Sequence, residues 1–311
     1  MSNIDQFLAK TQHSLINDGI SGAEIYSIGD RQILKRAQKS KIKGEGLYET
    51  FIKEARFYHY AMKHHIEFVP KVDTFFETDI NNEIGILMNK YHPIKISEIQ
   101  SKIENIFSTL VQLHSLTPPS PDELSLPKCN IVNINSSDLK NYSEGWNSVL
   151  NEHPDITWHN LPSGTVIEKI SATINEINSK FFNQKLTLIH GDFHLCNCLC
   201  DDDGNVIFCD WQNVSLGDPS SDLSFFLSRL NADGYVFTED EIISLYLKDL
   251  PSDVNRNSKK NEILNSMHLA EMNTSFMFWH EYLHNSSKER VSRVFNKMVD
   301  CWDALNSQIK I

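Results

Sequence analysis

The sequence predicts an α+β protein with two lobes, in which a small, mainly antiparallel β lobe with one key helix precedes a larger, mostly helical lobe. Short alternating segments separated by turn residues fill the beginning of the chain, whereas apolar residues recur at helical spacing from residue 97 onward. We place the lobes at residues 1–88 and 89–311, with a hinge at about 88–92. A chain of 311 residues is long enough for both lobes to bury a core.

The first lobe is predicted to contain a hairpin, a helix and a strand. Ala23–Ile28 and Arg31–Lys35 alternate as strands do, and Gly29-Asp30 between them suits a tight turn. The helix that follows is indicated by apolar residues at helical spacing: Phe51, Ala55, Tyr58 and Met62. Ile84–Tyr91 is predicted to be a strand that runs into a polar turn.

The second lobe is predicted to be mostly helical. Its first helix covers Ser97–Leu116 and is stopped by the proline-rich stretch that starts at Pro118. The remaining helices are predicted at residues 138–150, 166–182, 222–231, 238–248, 257–285 and 287–309.

The segment from His190 to Asn197 carries the strongest functional signal. A histidine stands two residues before Asp192 and an asparagine five residues after it, which is the spacing of a kinase catalytic loop. Lys185–Ile189 reads as a strand entering this loop. The segments after it read as a strand, a turn and a second strand that ends at Asp210: residues 198–200, 201–205 and 206–209.

These residue types suit the transfer of a phosphoryl group from a nucleotide to a hydroxyl. A carboxylate can orient the acceptor hydroxyl and take its proton, a role we assign to Asp192. Mg²⁺ prefers oxygen ligands, so Asn197 and Asp210 are the predicted metal ligands. His190 is predicted to brace the loop through hydrogen bonds. In the alternative interpretation these are ordinary turn residues, which the flanking strand pattern disfavours.

Residues 190–227 resemble the aminoglycoside phosphotransferase and choline kinase-like superfamily. The shared features are the loop described above, an Asp210-Trp211 pair after two strands, and a later Asp222-Leu223. Leu195-Cys196 departs from the family, in which many members have Pro-Gly. The resemblance implies a protein-kinase-like bilobal fold and phosphorylation of a small molecule with ATP or GTP and Mg²⁺. It gives Asp222 the role of a helix cap or loop brace.

The resemblance also implies nucleotide contacts in the first lobe. Lys35 ends a predicted strand and Glu54 lies on the predicted helix, so these two are expected to form the ion pair that positions the phosphates. Other residues are expected to contact the nucleotide through the turn before the lysine strand or through the hinge: Ser21, Gly22, Met88, Asn89 and Tyr91.

Charge and hydropathy limit the classes of molecule that the protein is expected to bind. The chain has 29 basic and 41 acidic residues and a net charge of −12, which argues against nucleic-acid binding and suits a cationic acceptor. No long apolar segment predicts a membrane span or an export signal, so we expect a cytoplasmic protein. Aromatic residues at helical spacing usually form core, and this alternative is the stronger one for the late helices. Three residues there are the candidate substrate contacts: Glu271, Trp279 and Glu281.

The sequence therefore predicts a small-molecule O-phosphotransferase whose acceptor is an aminoglycoside-like antibiotic. A metabolic kinase for choline, another amino alcohol or a sugar-like hydroxyl compound is the alternative. An inactive nucleotide-binding regulator is the third possibility. A protein kinase is disfavoured because no Ala-Pro-Glu segment follows Asp210. The pattern does not indicate an oligomeric state.

Overall fold

The computed structural model describes residues 2–18, 22–42, 44, 46–78, 82–129, 133–182, 185–250 and 255–309. The chain divides into two compact units. Unit 1 comprises Met1–Pro127 and Leu188–Leu216, and unit 2 comprises Lys128–Thr187 and Gly217–Ile311. Unit 1 therefore contains both the predicted lysine strand and the catalytic-loop segment, and the lobe boundary at residue 88 stays a prediction.

The strands are short, and most of them belong to unit 1. In chain order they are β1 His13–Asp18, β2 Glu24–Ile28, β3 Gln32–Gln38, β4 Val72–Thr78, β5 Glu83–Asn89, β6 His92–Pro93, β7 Thr157–Trp158, β8 Leu161–Pro162, β9 Thr187–Ile189, β10 Cys198–Cys200, β11 Val206–Phe208 and β12 Ser215–Gly217. The predicted mainly antiparallel β region is confirmed, and β1 and β4 were not predicted.

The helices dominate unit 2. In chain order they are α1 Asn3–Leu8, α2 Leu47–Lys63, α3 Ile99–Ser115, α4 Ser136–Asn151, α5 Ser163–Phe181, α6 Pro219–Ala232, α7 Glu239–Lys248, α8 Arg256–Thr274, α9 His280–Leu283 and α10 Lys288–Ser307. Short 3₁₀ turns cover Ile96–Glu98, Leu195–Asn197 and Trp211–Asn213. Within the residues described above, none of the helices has both the length and the apolar character that crossing a membrane requires.

An antiparallel sheet in the order β1-β2-β3-β5-β4 forms the N-terminal part of unit 1. In the central strand β3, Lys35 is paired with Ile25 on one side and with Ile86 on the other. A small cluster that includes Ile4, Leu34 and Leu87 is buried against this sheet. Full burial of one such side chain contributes about 1.5–3 kcal/mol, so the cluster fixes the strand that carries the lysine.

Unit 2 packs α4, α5, α8 and α10 around a shared apolar core. Helix α4 starts where the Asn135 side chain accepts a hydrogen bond from the Asp138 backbone N–H, a capping arrangement that removes one unpaired donor. Trp146 of the same helix is fully buried. Its indole N–H donates to the carbonyl oxygens of Ser275 and Phe276, at 3.2 and 3.0 Å.

Those two carbonyls belong to a π-helical segment, Ser275–Trp279, between α8 and α9. The helix predicted at residues 257–285 is thus observed as α8, this π-helical segment and α9. A π segment widens the turn and leaves carbonyl groups that need other donors, and the buried indole of Trp146 supplies one. Such segments occur frequently at functional sites.

Candidate active site

Lys35 connects two carboxylates inside unit 1. Its ammonium nitrogen lies 2.8 Å from Glu54 Oε2 and 2.8 Å from Asp210 Oδ1. Burial alone would lower the pKa of Lys35, but the charges of Glu54 and Asp210 outweigh burial and raise this pKa above its ordinary value. The lysine is therefore a fixed cation between a helix residue and a residue far along the chain.

Glu54 is fully buried on α2, and a second donor holds it. The hydroxyl group of Tyr58, one helical turn later, donates to Glu54 Oε1 at 3.3 Å. Burial raises the pKa of Glu54, and the neighbouring Lys35 opposes that rise. Sequence analysis had placed Tyr58 only on the apolar face of the helix, because spacing alone gives no sign of this hydrogen bond.

The hairpin of β10 and β11 brings Asn197 beside Asp210. Cys198 is paired with Phe208, and the Cys209 N–H donates to the Asn197 carbonyl at 3.0 Å. Asp210 is the next residue, and its backbone is left-handed, with φ 65° and ψ 63°. Aspartate tolerates this conformation better than most residues do, although the conformation still costs free energy.

The catalytic-loop segment is attached to the same hairpin by His190. This buried side chain has its Nε2 2.9 Å from the Cys209 carbonyl oxygen, and its Nδ1 accepts from the Asp192 N–H at 3.3 Å. One neutral tautomer, with the proton on Nε2, satisfies both contacts. The predicted bracing role of His190 agrees with this geometry.

Gly191 is required by its surroundings. Its φ is +80°, and a Cβ atom added there would lie 2.2 Å from the backbone oxygen of Asn213. The residue after the loop histidine therefore has no room for a side chain, which explains a glycine where protein kinases carry arginine.

Asp192 lies where its carboxylate can reach a bound molecule, because its side chain is 31% exposed. The Asn197 amide nitrogen donates to the Asp192 backbone oxygen at 2.9 Å and lies 3.2 Å from His194 Nε2. Sequence analysis did not assign His194 to the site, although its position two residues after Asp192 offered a signal.

The oxygen donors of this site fit Mg²⁺. The nitrogen of the Asn197 amide donates within the loop, which leaves the amide oxygen available as a ligand. Asp210 Oδ1 accepts a hydrogen bond from the Lys35 ammonium group, and the Asp210 side chain is 41% exposed. Within the part of the chain that the structure covers, no group of three or more His, Cys, Asp or Glu side chains could hold a metal. A magnesium ion would thus depend on Asn197, Asp210 and nucleotide phosphates.

The model of a phosphotransferase enzyme family, designated APH, matches residues 14–247. This match spans the lysine strand, the catalytic loop and Asp210. The chain belongs to this phosphotransferase family. The predicted enzyme class is thereby confirmed. No curated protein matches the chain in a sequence search.

Solved structures show the fold of this phosphotransferase. It is similar to the ADP-bound aminoglycoside phosphotransferase APH(2'')-Ib, with a TM-score of 0.60, 14% identity and 96% of each chain covered. The choline kinase LicA from Streptococcus pneumoniae gives a TM-score of 0.55, 14% identity, and coverage of 98% of this chain and 96% of that one. An ethanolamine kinase from Plasmodium vivax gives a TM-score of 0.55 and 13% identity, with coverage of 96% of this chain and 85% of that one. The predicted protein-kinase-like α+β fold is confirmed.

The residues predicted to contact the nucleotide lie in different parts of the sheet and its turns. Gly22 lies between β1 and β2 with a φ of +82°, whereas Ser21 lies outside the described residues. Met88 is buried in β5. The Asn89 N–H donates to the Lys71 carbonyl at 3.0 Å, so this amide is already used within unit 1.

Asn89 and Tyr91 both line a cavity of about 680 Å³ in unit 1. The Tyr91 hydroxyl accepts from the Lys71 N–H at 3.0 Å. The lining does not include Lys35, Asp192 or Asp210. Contact between this segment and the base of a nucleotide stays a prediction. Backbone groups other than the Asn89 N–H would have to make the hydrogen bonds to the base.

Two of the three predicted substrate residues lie together in unit 2. Glu271 and Trp279 line one cavity, whereas Glu281 is exposed and is not part of its lining. Of the two roles predicted for Asp222, the helix cap is wrong, and the loop brace stays a prediction. Helix α6 is capped by Asp218, whose carboxylate accepts from the Ser220 N–H at 2.8 Å, and Asp222 is buried within the first turn.

Proposed function

We propose that this phosphotransferase transfers the terminal phosphoryl group of ATP or GTP to a hydroxyl group of a small molecule, with Asp192 as the base. The observation that carries the proposal is the position of Lys35, which lies 2.8 Å from both Glu54 and Asp210. The β10–β11 hairpin and the His190 side chain join the loop that carries Asp192 and Asn197 to the segment just before Asp210. A lysine held in this way suits the neutralisation of phosphate oxygens.

Each residue has a separate task in this proposal. Lys35 supplies a fixed positive charge for the phosphates, and Glu54 keeps that charge in place. Asp192 orients the acceptor hydroxyl and takes its proton. Asn197 and Asp210 hold Mg²⁺, which neutralises charge on the phosphates when bound.

The first acceptor class to test is the aminoglycoside-like antibiotics. The net charge of −12 favours the approach of a cation, and one neighbouring fold belongs to an aminoglycoside phosphotransferase. Amino alcohols form the second class, because the choline and ethanolamine kinases are about as similar in fold. Fold alone does not choose between them.

The test is acceptor-dependent conversion of ATP or GTP to the diphosphate, with the phosphorylated product identified by mass spectrometry. Asp192→Asn should lower the turnover number by about 10²–10⁴-fold, the usual contribution of a general base, while the dissociation constant for the nucleotide changes little. Asp202→Asn is the matched control, because that side chain is 96% exposed on the neighbouring turn.

Full turnover in Asp192→Asn would remove Asp192 from the proposed role. Nucleotide binding without transfer to any acceptor in the panel would favour the inactive-regulator alternative. A phosphorylated aminoglycoside or amino alcohol would identify the acceptor class directly.

A further inference from the structure

Helices α6, α8 and α10 and the π-helical segment enclose a cavity of about 420 Å³ in unit 2. Part of its wall is apolar and includes Leu227, Met267 and Val294, and the ring of Trp279 lies beside them. A volume in this range suits a small organic molecule, and one indole face suits an aromatic or apolar part of it.

The charged residues of the same cavity are mainly basic. Four are cationic, namely Arg229, Arg290, Arg293 and Lys297, whereas the two acidic residues are Glu239 and Glu271. Four positive and two negative side chains give a local balance of +2, within a chain whose net charge is −12. The cavity thus has the opposite sign to the protein as a whole.

Internal ion pairs neutralise only part of this charge. Lys297 Nζ lies 2.5 Å from Glu239 Oε1, and the other oxygen of Glu239 lies 3.0 Å from His268 Nε2. Glu271 accepts from the Ser275 hydroxyl at 3.0 Å, and burial raises the pKa of its carboxyl group. Three arginines therefore line this cavity together with two carboxyl groups, of which Glu239 is already paired with Lys297.

Arg229 supplies the observation that points most directly to an anionic ligand. Its Nε is buried and, among the residues that the structure describes, has no hydrogen-bond partner. Buried donors in native proteins are nearly always satisfied, so an unpaired guanidinium nitrogen needs an explanation. The planar fork of arginine matches the paired oxygens of a carboxylate, sulfonate or phosphate.

We propose that this cavity binds a small organic anion, with its carboxylate, sulfonate or phosphate group on the arginines and its apolar part against Trp279. Binding in itself does not depend on the proposed function. If the anion also carries the hydroxyl that is phosphorylated, it names the acceptor class, and that reading alone rests on the proposed function.

The direct test is a fluorescence titration of the full chain, without nucleotide, with 8-anilinonaphthalene-1-sulfonate. This probe combines an aromatic body with a sulfonate, and N-phenyl-1-naphthylamine is its neutral counterpart. We expect saturable binding of the sulfonate and at least about tenfold weaker binding of the neutral compound, because the neutral compound cannot accept charge-assisted hydrogen bonds from the arginines.

Arg229→Gln and Arg293→Gln should each weaken the sulfonate about tenfold or more. Arg293 is exposed, so the second variant tests the proposal even if the first one folds poorly. Arg256→Gln is the matched control, because Arg256 lies on α8 outside the cavity lining. Equal affinity for the two probes, or cavity variants that bind as the control does, would overturn the proposal.

A second measurement separates the two possible roles of the anion. Phosphorylation of a hydroxylated aromatic carboxylate would make the anion the acceptor, whereas altered nucleotide turnover without a phosphorylated product would make it an effector. Absence of phosphotransfer to every acceptor, with a charge-dependent titration intact, would count against the proposed function and not against this site.

Discussion

His190 Nε2 and the carbonyl oxygen of Cys209 lie 2.9 Å apart, and this contact joins the loop that carries Asp192 to the residue before Asp210. Both groups belong to unit 1, and the histidine side chain is fully buried. The two carboxylates that the proposed reaction needs are thus positioned by a shared imidazole ring as well as by the β10–β11 hairpin.

Replacing His190 should impair the transfer step more than nucleotide binding. His190→Ala removes the contact between the two segments, and a displacement of about 1 Å can cost about 10²-fold in rate. We expect the turnover number to fall by about 10–100-fold, with a smaller change in KM for the nucleotide. Steady-state kinetics with each substrate varied in turn measure this difference.

His190→Gln keeps a donor near the Nε2 position and should recover part of the lost turnover. His92→Ala is the control, because that histidine is exposed in the same unit. Equal losses of turnover and nucleotide affinity in His190→Ala would point to general unfolding instead of positioning.

Gly191→Ala should destabilise the protein. A left-handed backbone costs a residue with a Cβ about 1–2 kcal/mol, and here the new methyl group would also meet the Asn213 backbone oxygen. Urea denaturation should show a free energy of unfolding lowered by at least about 2 kcal/mol.

Gly29→Ala is the matched control. Gly29 has a φ of +54°, but a Cβ there would have no atom within 4 Å, so only the backbone cost of about 1 kcal/mol applies. Equal destabilisation by the two substitutions would mean that the contact with Asn213 has no energetic weight.

The catalytic loop was predictable because its geometry is encoded locally. Asp192, Asn197 and Asp210 lie on one loop and one hairpin, so their sequence spacing nearly determines their arrangement in space. The pairing of Lys35 with Glu54 is less local, and it was predicted because the family resemblance implies a strand lysine that pairs with a helix glutamate.

The features that sequence did not reveal depend on tertiary structure. In β1 and in β4 two apolar residues stand next to each other, so neither strand has the alternation that marks a half-buried strand. The π-helical segment is hydrogen-bonded by Trp146, which lies more than a hundred residues earlier in the chain. Arg229 and Arg293 come from different helices, and only packing brings them to the cavity that holds Glu271.

Asp210→Asn and Asp210→Ala should both impair Mg²⁺-nucleotide binding, because each removes the negative charge of a carboxylate that we propose as a metal ligand. Asparagine favours the left-handed backbone that this residue adopts, whereas alanine does not. We therefore expect Asp210→Ala to be less stable than Asp210→Asn by about 1 kcal/mol. Nucleotide titration by calorimetry, together with urea denaturation, measures both effects.

Unchanged Mg²⁺-nucleotide affinity in Asp210→Asn would remove this carboxylate from the metal site. If the two variants differ in stability but not in affinity, the result supports only the argument that asparagine suits the left-handed backbone better than alanine does.

Glu239 should give unit 2 a stability that depends on acidic pH. The pKa of Glu239 is lowered from its ordinary 4.5 to about 2. The largest cause is the hydrogen bond with His268, and the hydrogen bond and charge of Lys297 lower this pKa further. Between these values the unfolded chain binds a proton that the folded protein does not, so stability falls as the pH falls. Above pH 4.5 the contribution is fully present.

The free energy of unfolding of the wild type should exceed that of Glu239→Gln, and the difference should shrink as the pH drops from about 4.5 toward about 2. Urea denaturation across a pH series measures this difference, and a gap that stays constant through the window would contradict the assignment.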